Sequence, residues 1–353
     1  MIIDMPNTKT SAIARKIAEL HEERGEAGND RVLTLIISTD VADLESSLEV
    51  ANSVSREHPC RVIAVVPRRR HQAARKSDGG DAKSKATHGA DGVKTDIVFS
   101  ASNDRPECVS VDAPEAPITD LDAQVRFGAD AGAGEVIILR PDAELMQHAD
   151  TLVIPLLVPD IPIVTWWPTD PPENPSKDRL GAMSNRRLTD ALRSDDPVAV
   201  IKGLQSHWQP NDIDLSWTRI TVWRAMLASL LDQPPHLLVT SVKVTGTVSE
   251  SNDYLPLDML ATWLRIQLKV PVSVETRTGQ EEGSITGVYL TREDGVLSLE
   301  RPNSSQGIIC QPGQTPQPVA MPKRTLEDCL SEELRRMDPD EIYARIVRGG
   351  QFA

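Results

Sequence analysis

Aromatic side chains are scarce in this 353-residue sequence: six Trp, three Tyr and three Phe make up 3% of it. A packed core must therefore rest on Val, Leu, Ile and Ala. No apolar run reaches the roughly 20 residues needed to cross a bilayer, and Met1 to Arg15 lacks the apolar stretch of a secretory signal. The expectation is a cytoplasmic protein with no membrane contact. Cysteines number four, at Cys60, Cys108, Cys310 and Cys329, with no C-x-x-C pair and no histidines at metal-ligand spacing. Reduced structural thiols are the simplest reading, and redox regulation is the alternative. Positive charge is also in deficit, 38 Lys and Arg against 52 Asp and Glu, and the net charge of −14 opposes approach to nucleic acid or to an anionic lipid surface.

The common catalytic signatures are missing as well. A dinucleotide turn needs G-x-G-x-x-G between a strand and the helix it feeds, so that a pyrophosphate can reach the helix N-terminus. Here the first strand ends in Ser38-Thr39-Asp40-Val41, and Gly128, Gly132 and Gly134 precede a strand instead of following one. No P-loop and no G-x-S-x-G is present, and His21-Glu22-Glu23 continues into Arg24-Gly25 without the second imidazole of a zinc helix. No catalytic residue, cofactor or metal ligand is expected.

What the sequence does contain is alternation. Thr8–Arg24 carries Ile13, Ile17 and Leu20 at helical spacing; Arg31–Ser38 and Cys60–Val66 read as buried strands, with a helix over Val41–Glu57 between them. Asp96–Ser100 reads as a further strand, a helix candidate starts near Asp120 (DLDAQVRFGADAG), and Glu135–Leu139 and Ile161–Trp166 read as strands around a helix within Ala143–Val158. The spacing predicts βαβ units and hence an α/β fold, a doubly wound and mostly parallel sheet over residues 1–210. Residues 67–95 interrupt it; within them Arg68–Lys94 holds eight Lys or Arg against three Asp and reads as a disordered basic insertion, its RRRHQAARK cluster either solvated or turned toward an acidic partner or a nucleic acid.

Residues 211–353 read as a smaller α+β domain. Asp214–Pro235 forms one long helix, Leu237–Val248 a strand and Pro256–Leu268 a helix; three alternating stretches follow at Val272–Arg277, Ser284–Thr291 and Val296–Arg301, with Asp294-Gly295 as a hairpin turn. An antiparallel sheet is the expectation here. A Pro-rich connector, Pro312–Pro322, leads to two terminal helices over Leu326–Arg336 and Pro339–Arg348.

Three constellations remain. The segment PIVTWWPTDPPENP sets Trp166 and Trp167 before a loop stiffened by proline; adjacent strand residues face opposite ways, so one Trp belongs at the surface or under the loop. The pair is either filler or a rigid anchor for another protein. Arg186 and Arg187 form a guanidinium pair suited to carboxylate or phosphate, or an internally paired one. In DLSWTRITVWRAMLASLLDQPP, Ile220, Trp223, Leu227 and Leu230 make a buried stripe, while Trp217, Thr221 and Arg224 share a second face that serves as a hinge or as a protein contact.

The strings LDAQVRFGADAGAGEVIIL, TLVIPLLVPDIPIVTWWPTDPP, NRRLTDA and DLSWTRITVWRAMLASLLDQPP, in this order, resemble the OpcA family of glucose-6-phosphate dehydrogenase assembly proteins. The likeness runs from the first strand to the terminal helices and leaves out the basic insertion. It implies a non-catalytic partner that forms a hetero-oligomer with the dehydrogenase, favours its active oligomer, and raises flux into the oxidative pentose phosphate pathway and NADPH supply. Candidate partner-binding residues are Trp166, Trp167, Arg186, Arg187, Trp217, Arg219 and Arg224. The competing reading is a sugar-phosphate enzyme or sensor built on Arg186 and Arg187.

Overall fold

The computed structural model describes residues 1–24, 31–68, 121–128, 134–234, 236–248, 255–278, 284–350 and 352. The expected strand at Asp96–Ser100, nearly all of the basic insertion, and Cys108 lie outside the described residues.

The first half contributes β1 (Ile2–Met5), α1 (Thr10–Arg24), β2 (Leu33–Ser38), α2 (Leu44–Val54), β3 (Cys60–Val65), β4 (Leu121–Phe127), β5 (Glu135–Pro141), α3 (Ala149–Val153), β6 (Ile163–Trp167), β7 (Arg186–Thr189), α4 (Pro197–His207) and β8 (Asp212–Asp214). These strands form one mixed sheet of eight in the order β1-β4-β5-β3-β2-β6-β7-β8. From β5 to β8 every pairing is parallel, whereas β4 runs antiparallel to both β5 and β1. The order of the six parallel strands reverses between β2 and β6, the place where open α/β sheets form a crevice.

Period-two alternation divides the core. Ile36, Ile63 and Ile137 pack with Ile13, Ile17 and Leu20 of α1 on one side, while Leu35, Val62 and Ile138 pack with Leu44, Leu48 and Ala51 of α2 on the other. The segment starting near Asp120 is a strand and not the expected helix. Leu121, Ala123, Val125 and Phe127 are buried while Asp122, Gln124 and Arg126 are half-buried, a period of two that outweighs the helix-favouring alanines.

The second half opens with α5 (Leu215–Arg219) and α6 (Thr221–Leu231), then β9 (Ser241–Val248), α7 (Leu255–Leu268), β10 (Val272–Thr278), β11 (Ser284–Arg292), β12 (Gly295–Glu300), β13 (Gln306–Cys310), β14 (Gln317–Ala320), α8 (Leu326–Arg335) and α9 (Glu341–Gly349). The single helix expected over Asp214–Pro235 is thus broken at Ile220, whose backbone (φ −94, ψ 7) leaves the helical region. The buried stripe of Ile220, Trp223, Leu227 and Leu230 survives the break. The second sheet, β10-β9-β11-β12-β13-β14, is mixed where an antiparallel one was expected: β10 lies parallel to β9 because α7 carries the chain across between them. The β11–β12 hairpin turns at Gly295, whose φ of +134 is open to glycine and not to side-chain-bearing residues. The Pro-rich connector contains β14, an edge strand that tolerates Pro318 because one side of it needs no ladder partner.

The chain then returns to its first half. A capping box of Thr325 and Asp328 starts α8, and Asp340 caps α9 by accepting from the amides of Ile342 and Tyr343. Helix α8 packs on α2, and Gln205 of α4 donates to the Val347 and Gly350 carbonyls at 2.9 and 2.7 Å. One hydrophobic core runs without interruption from Leu35 and Trp166 to Val244, Leu257, Leu299 and Tyr343.

Candidate functional site at the junction of the halves

The residues singled out in the sequence gather where α5, α8 and α9 meet the carboxyl half of the first sheet, and most of them face inward. On β6, Trp166 (0% exposed) enters the core shared by both halves, and Trp167 (2%) turns the other way under the Pro-rich loop. A Cβ on Gly181 would lie 1.9 Å from the Pro175 carbonyl oxygen and 2.9 Å from the Trp167 ring, so the loop closes over that indole. Neither tryptophan offers its ring to a partner.

Strand β7 is an inner strand with all four residues buried, so Arg186 and Arg187 point to opposite faces and each has its own acid. Arg186 pairs with Glu333 of α8 and donates to the Asp338 carbonyl at 3.0 Å; the second Glu333 oxygen accepts from the Thr218 hydroxyl at 2.6 Å. Arg187 pairs with Asp212 and donates to the Pro210 and Ser184 carbonyls at 2.7 and 3.1 Å. A guanidinium pair open to a sugar phosphate is therefore not formed by these two residues. Burial raises the Asp212 carboxyl above its ordinary pKa despite the pull of Arg187.

Asp214 sits at the centre, fully buried, and caps α5 through the Ser216 amide at 2.9 Å while accepting from the Thr189 hydroxyl and the Ala191 amide at 2.7 and 2.8 Å. Burial, then the neighbouring Asp190 charge, push its pKa up; the hydrogen bonds oppose that rise. Asp190 holds Arg219 through two bonds of 2.6 and 2.8 Å. Burial pulls the Arg219 pKa down, but Asp190 holds it above the ordinary value. The Trp217 indole donates to Asp340 at 2.9 Å, and the Arg224 guanidinium stacks on its ring at 3.5 Å. Burial takes Arg224 down to about 10 against the attraction of Asp340, Glu332 and Glu333. Arg219 and Arg224 are the two members of the set that are only half-buried.

Behind this clamp lies a cavity of about 210 Å³ whose walls include Arg219, Trp223, Ser284, Arg301, Lys323 and Arg324. The last three escaped the sequence reading. Lys323-Arg324 directly precedes the capping box of α8, but nothing local shows that it faces Arg301, which lies well upstream in the chain. Among the described residues, no group of three His, Cys, Asp or Glu side chains is placed to hold a metal ion, and no helix is long and apolar enough to cross a membrane.

Two family models match the chain. Residues 51–206 match the N-terminal domain, and residues 210–347 the C-terminal domain, of the glucose-6-phosphate dehydrogenase subunit OpcA. The chain belongs to the OpcA family of glucose-6-phosphate dehydrogenase assembly proteins. The OpcA matches meet between residues 206 and 210, just before β8 completes the first sheet. No curated protein matches the sequence at a significant level. Among solved structures, a point mutant of KijD10, a 3-ketoreductase from Actinomadura kijaniata in complex with TDP-benzene and NADP, shares 10% identity over 90% of this chain and 94% of its own, with a TM-score of 0.46. Ari2 shares 10% identity over 57% of this chain and 55% of its own, with a TM-score of 0.23. Neither likeness is close enough to bear on function.

Proposed function

We propose that this chain is a non-catalytic assembly factor and activator of glucose-6-phosphate dehydrogenase, acting in the cytoplasm and serving the oxidative pentose phosphate pathway. The observation that carries the reading is the match of both halves, in order, to the two domains of the OpcA subunit. The crevice between β2 and β6 supports the non-catalytic part. In the loop that leaves β2 beside it, the Thr39 amide donates to the Val65 carbonyl of β3, and the Asp40 carboxylate accepts from the Asp43 amide at 3.0 Å, so an acid stands where a dinucleotide fold needs glycine and open amides.

Activation follows from linkage. A protein that binds the active oligomer more tightly than the inactive form draws the equilibrium toward it, and each tenfold shift requires about 1.4 kcal/mol of difference between the two affinities. The first half, whose sheet runs past residue 210 to β8 at Asp212–Asp214, and the second half that follows it act as one body because a single core joins them. Within the Trp/Arg set, Trp166, Trp167, Arg186, Arg187 and Trp217 hold that body in shape, and Arg219 and Arg224 contribute to the partner-facing rim. The test is titration of the dehydrogenase with this chain while turnover is followed. A saturable rise in rate is expected, and a flat titration at micromolar concentrations of both proteins would overturn the reading.

A further inference from the structure

The cavity behind the clamp has the makings of a ligand site of its own. Its walls come from six separated segments: Leu192 after β7, Arg219, Ile220 and Trp223 of α5 and α6, Pro256 at the start of α7, Ser284 and Ile285 at the start of β11, Arg301 after β12, and Lys323 with Arg324 ahead of α8. Among the described residues four cations line it, and no carboxylate does. In a chain of net charge −14 the cleft thus presents side chains of one sign, which favours an anion there.

The positive side chains are held in position. Arg219 is fixed from behind by Asp190 and Arg324 by Glu332. Arg301 donates to the Ser284 hydroxyl and the Ile285 carbonyl, each at 3.3 Å, and lies 5.2 Å from the Trp223 ring. Lys323 is exposed at the mouth. The Trp223 indole N–H, on a side chain only 1% exposed, has no hydrogen-bond partner among the described residues, which leaves a buried donor in the cavity wall. A second cavity of about 260 Å³ shares Ser284, Arg301 and Lys323 and adds the hydroxyls of Thr247, Thr286 and Ser304. Leu192, Ile220 and Pro256 give the first cavity an apolar side.

We propose that this cleft binds a small phosphate monoester, its phosphate between Arg301 and Lys323 and its hydroxyl-bearing body along the Ser and Thr side chains. Guanidinium and ammonium groups match a phosphate dianion, and a few placed polar groups against an apolar wall orient the remainder. The cleft lies between α5 and α6, the start of β11, and the segment that leads into α8.

The test uses the full chain alone, so its outcome is independent of whether the dehydrogenase is a partner. Calorimetric titration with glucose 6-phosphate, glucose and inorganic phosphate at constant ionic strength is expected to show binding of the ester, weaker binding of phosphate, and none of glucose. Lys323→Glu and Arg301→Gln are each expected to weaken ester binding by on the order of tenfold, a loss of about 1.4 kcal/mol. Lys9→Glu, exposed ahead of α1 and outside the cleft, should leave it unchanged, and circular dichroism verifies that each variant is folded. Absence of ester binding at millimolar concentration overturns the proposal. So does equal binding of ester and inorganic phosphate, which marks an adventitious ion only, or undiminished affinity in both folded cleft variants.

Discussion

Glu333→Ala removes the one acid that α8 sends against the first sheet. Arg186, 1% exposed, would keep a single bond to the Asp338 carbonyl while its charge stayed in the core, and the Thr218 hydroxyl would lose its acceptor. Breaking a buried pair from one side costs about 3–5 kcal/mol, and the orphaned hydroxyl adds about 1 kcal/mol. Against a total stability of roughly 5–15 kcal/mol, that is a large share. With an unfolding entropy of about 2.1 cal/mol/K per residue over 353 residues, a loss of about 4 kcal/mol lowers the melting temperature by about 5 °C. Arg186→Met combined with Glu333→Leu removes both charges together and should recover most of the loss, since well-packed apolar pairs replace buried ion pairs at little cost. Urea denaturation followed by tryptophan fluorescence reads Glu333→Ala, Arg186→Met and the double variant against the parent. A Glu333→Ala protein within about 1 kcal/mol of the parent, or a double variant as damaged as the two singles together, would show that the clamp does not hold the halves.

Trp167→Ala should cost about 3–5 kcal/mol through the void left under the Pro-rich loop, and Gly181→Ala should destabilise the same spot by collision with the Pro175 carbonyl; unchanged melting of both would mean the loop is not packed there. Arg224→Ala is expected to weaken the complex with the dehydrogenase severalfold while the isolated chain stays folded, read by biolayer interferometry; an unchanged affinity removes this residue from the interface. Burial pushes the Cys60 and Cys329 thiols up to about 12 from 9.0, so their thiol forms are favoured in the fold: that stability is fully present below pH 9.0 and is lost as pH rises through about 12. Denaturation midpoints should fall across that window and fall less in a Cys60→Ala, Cys329→Ala variant; at neutral pH, alkylation followed by mass spectrometry should modify half-buried Cys310 ahead of both.

The central strands were legible because they are long, uniformly apolar and separated by helical spacing; β2, β3, β5 and β6 all fall where hydrophobic runs place them. Short strands were not. β7 and β8 have four and three residues and carry Arg or Asp, so they read as loop until the neighbours that neutralise them are known. The same blindness turned Arg186 and Arg187 into a candidate exposed pair, since strand geometry separates them and the acid of Arg186 stands 147 positions away. Parallel pairing of β10 with β9 depends on where α7 delivers the chain, which alternation alone does not encode. The placement of Trp167 beneath the Pro-rich loop, by contrast, follows from the two-residue period of a strand and the prolines that stop it.

The most direct examination of the assembly role is light scattering on size-exclusion fractions of the dehydrogenase alone, this chain alone, and the two mixed, with the turnover of each fraction measured. One heavier species containing both chains, with higher dehydrogenase activity than the enzyme alone and none from this chain alone, is the expected result. Two species eluting as they do separately, with turnover unaltered, would contradict it.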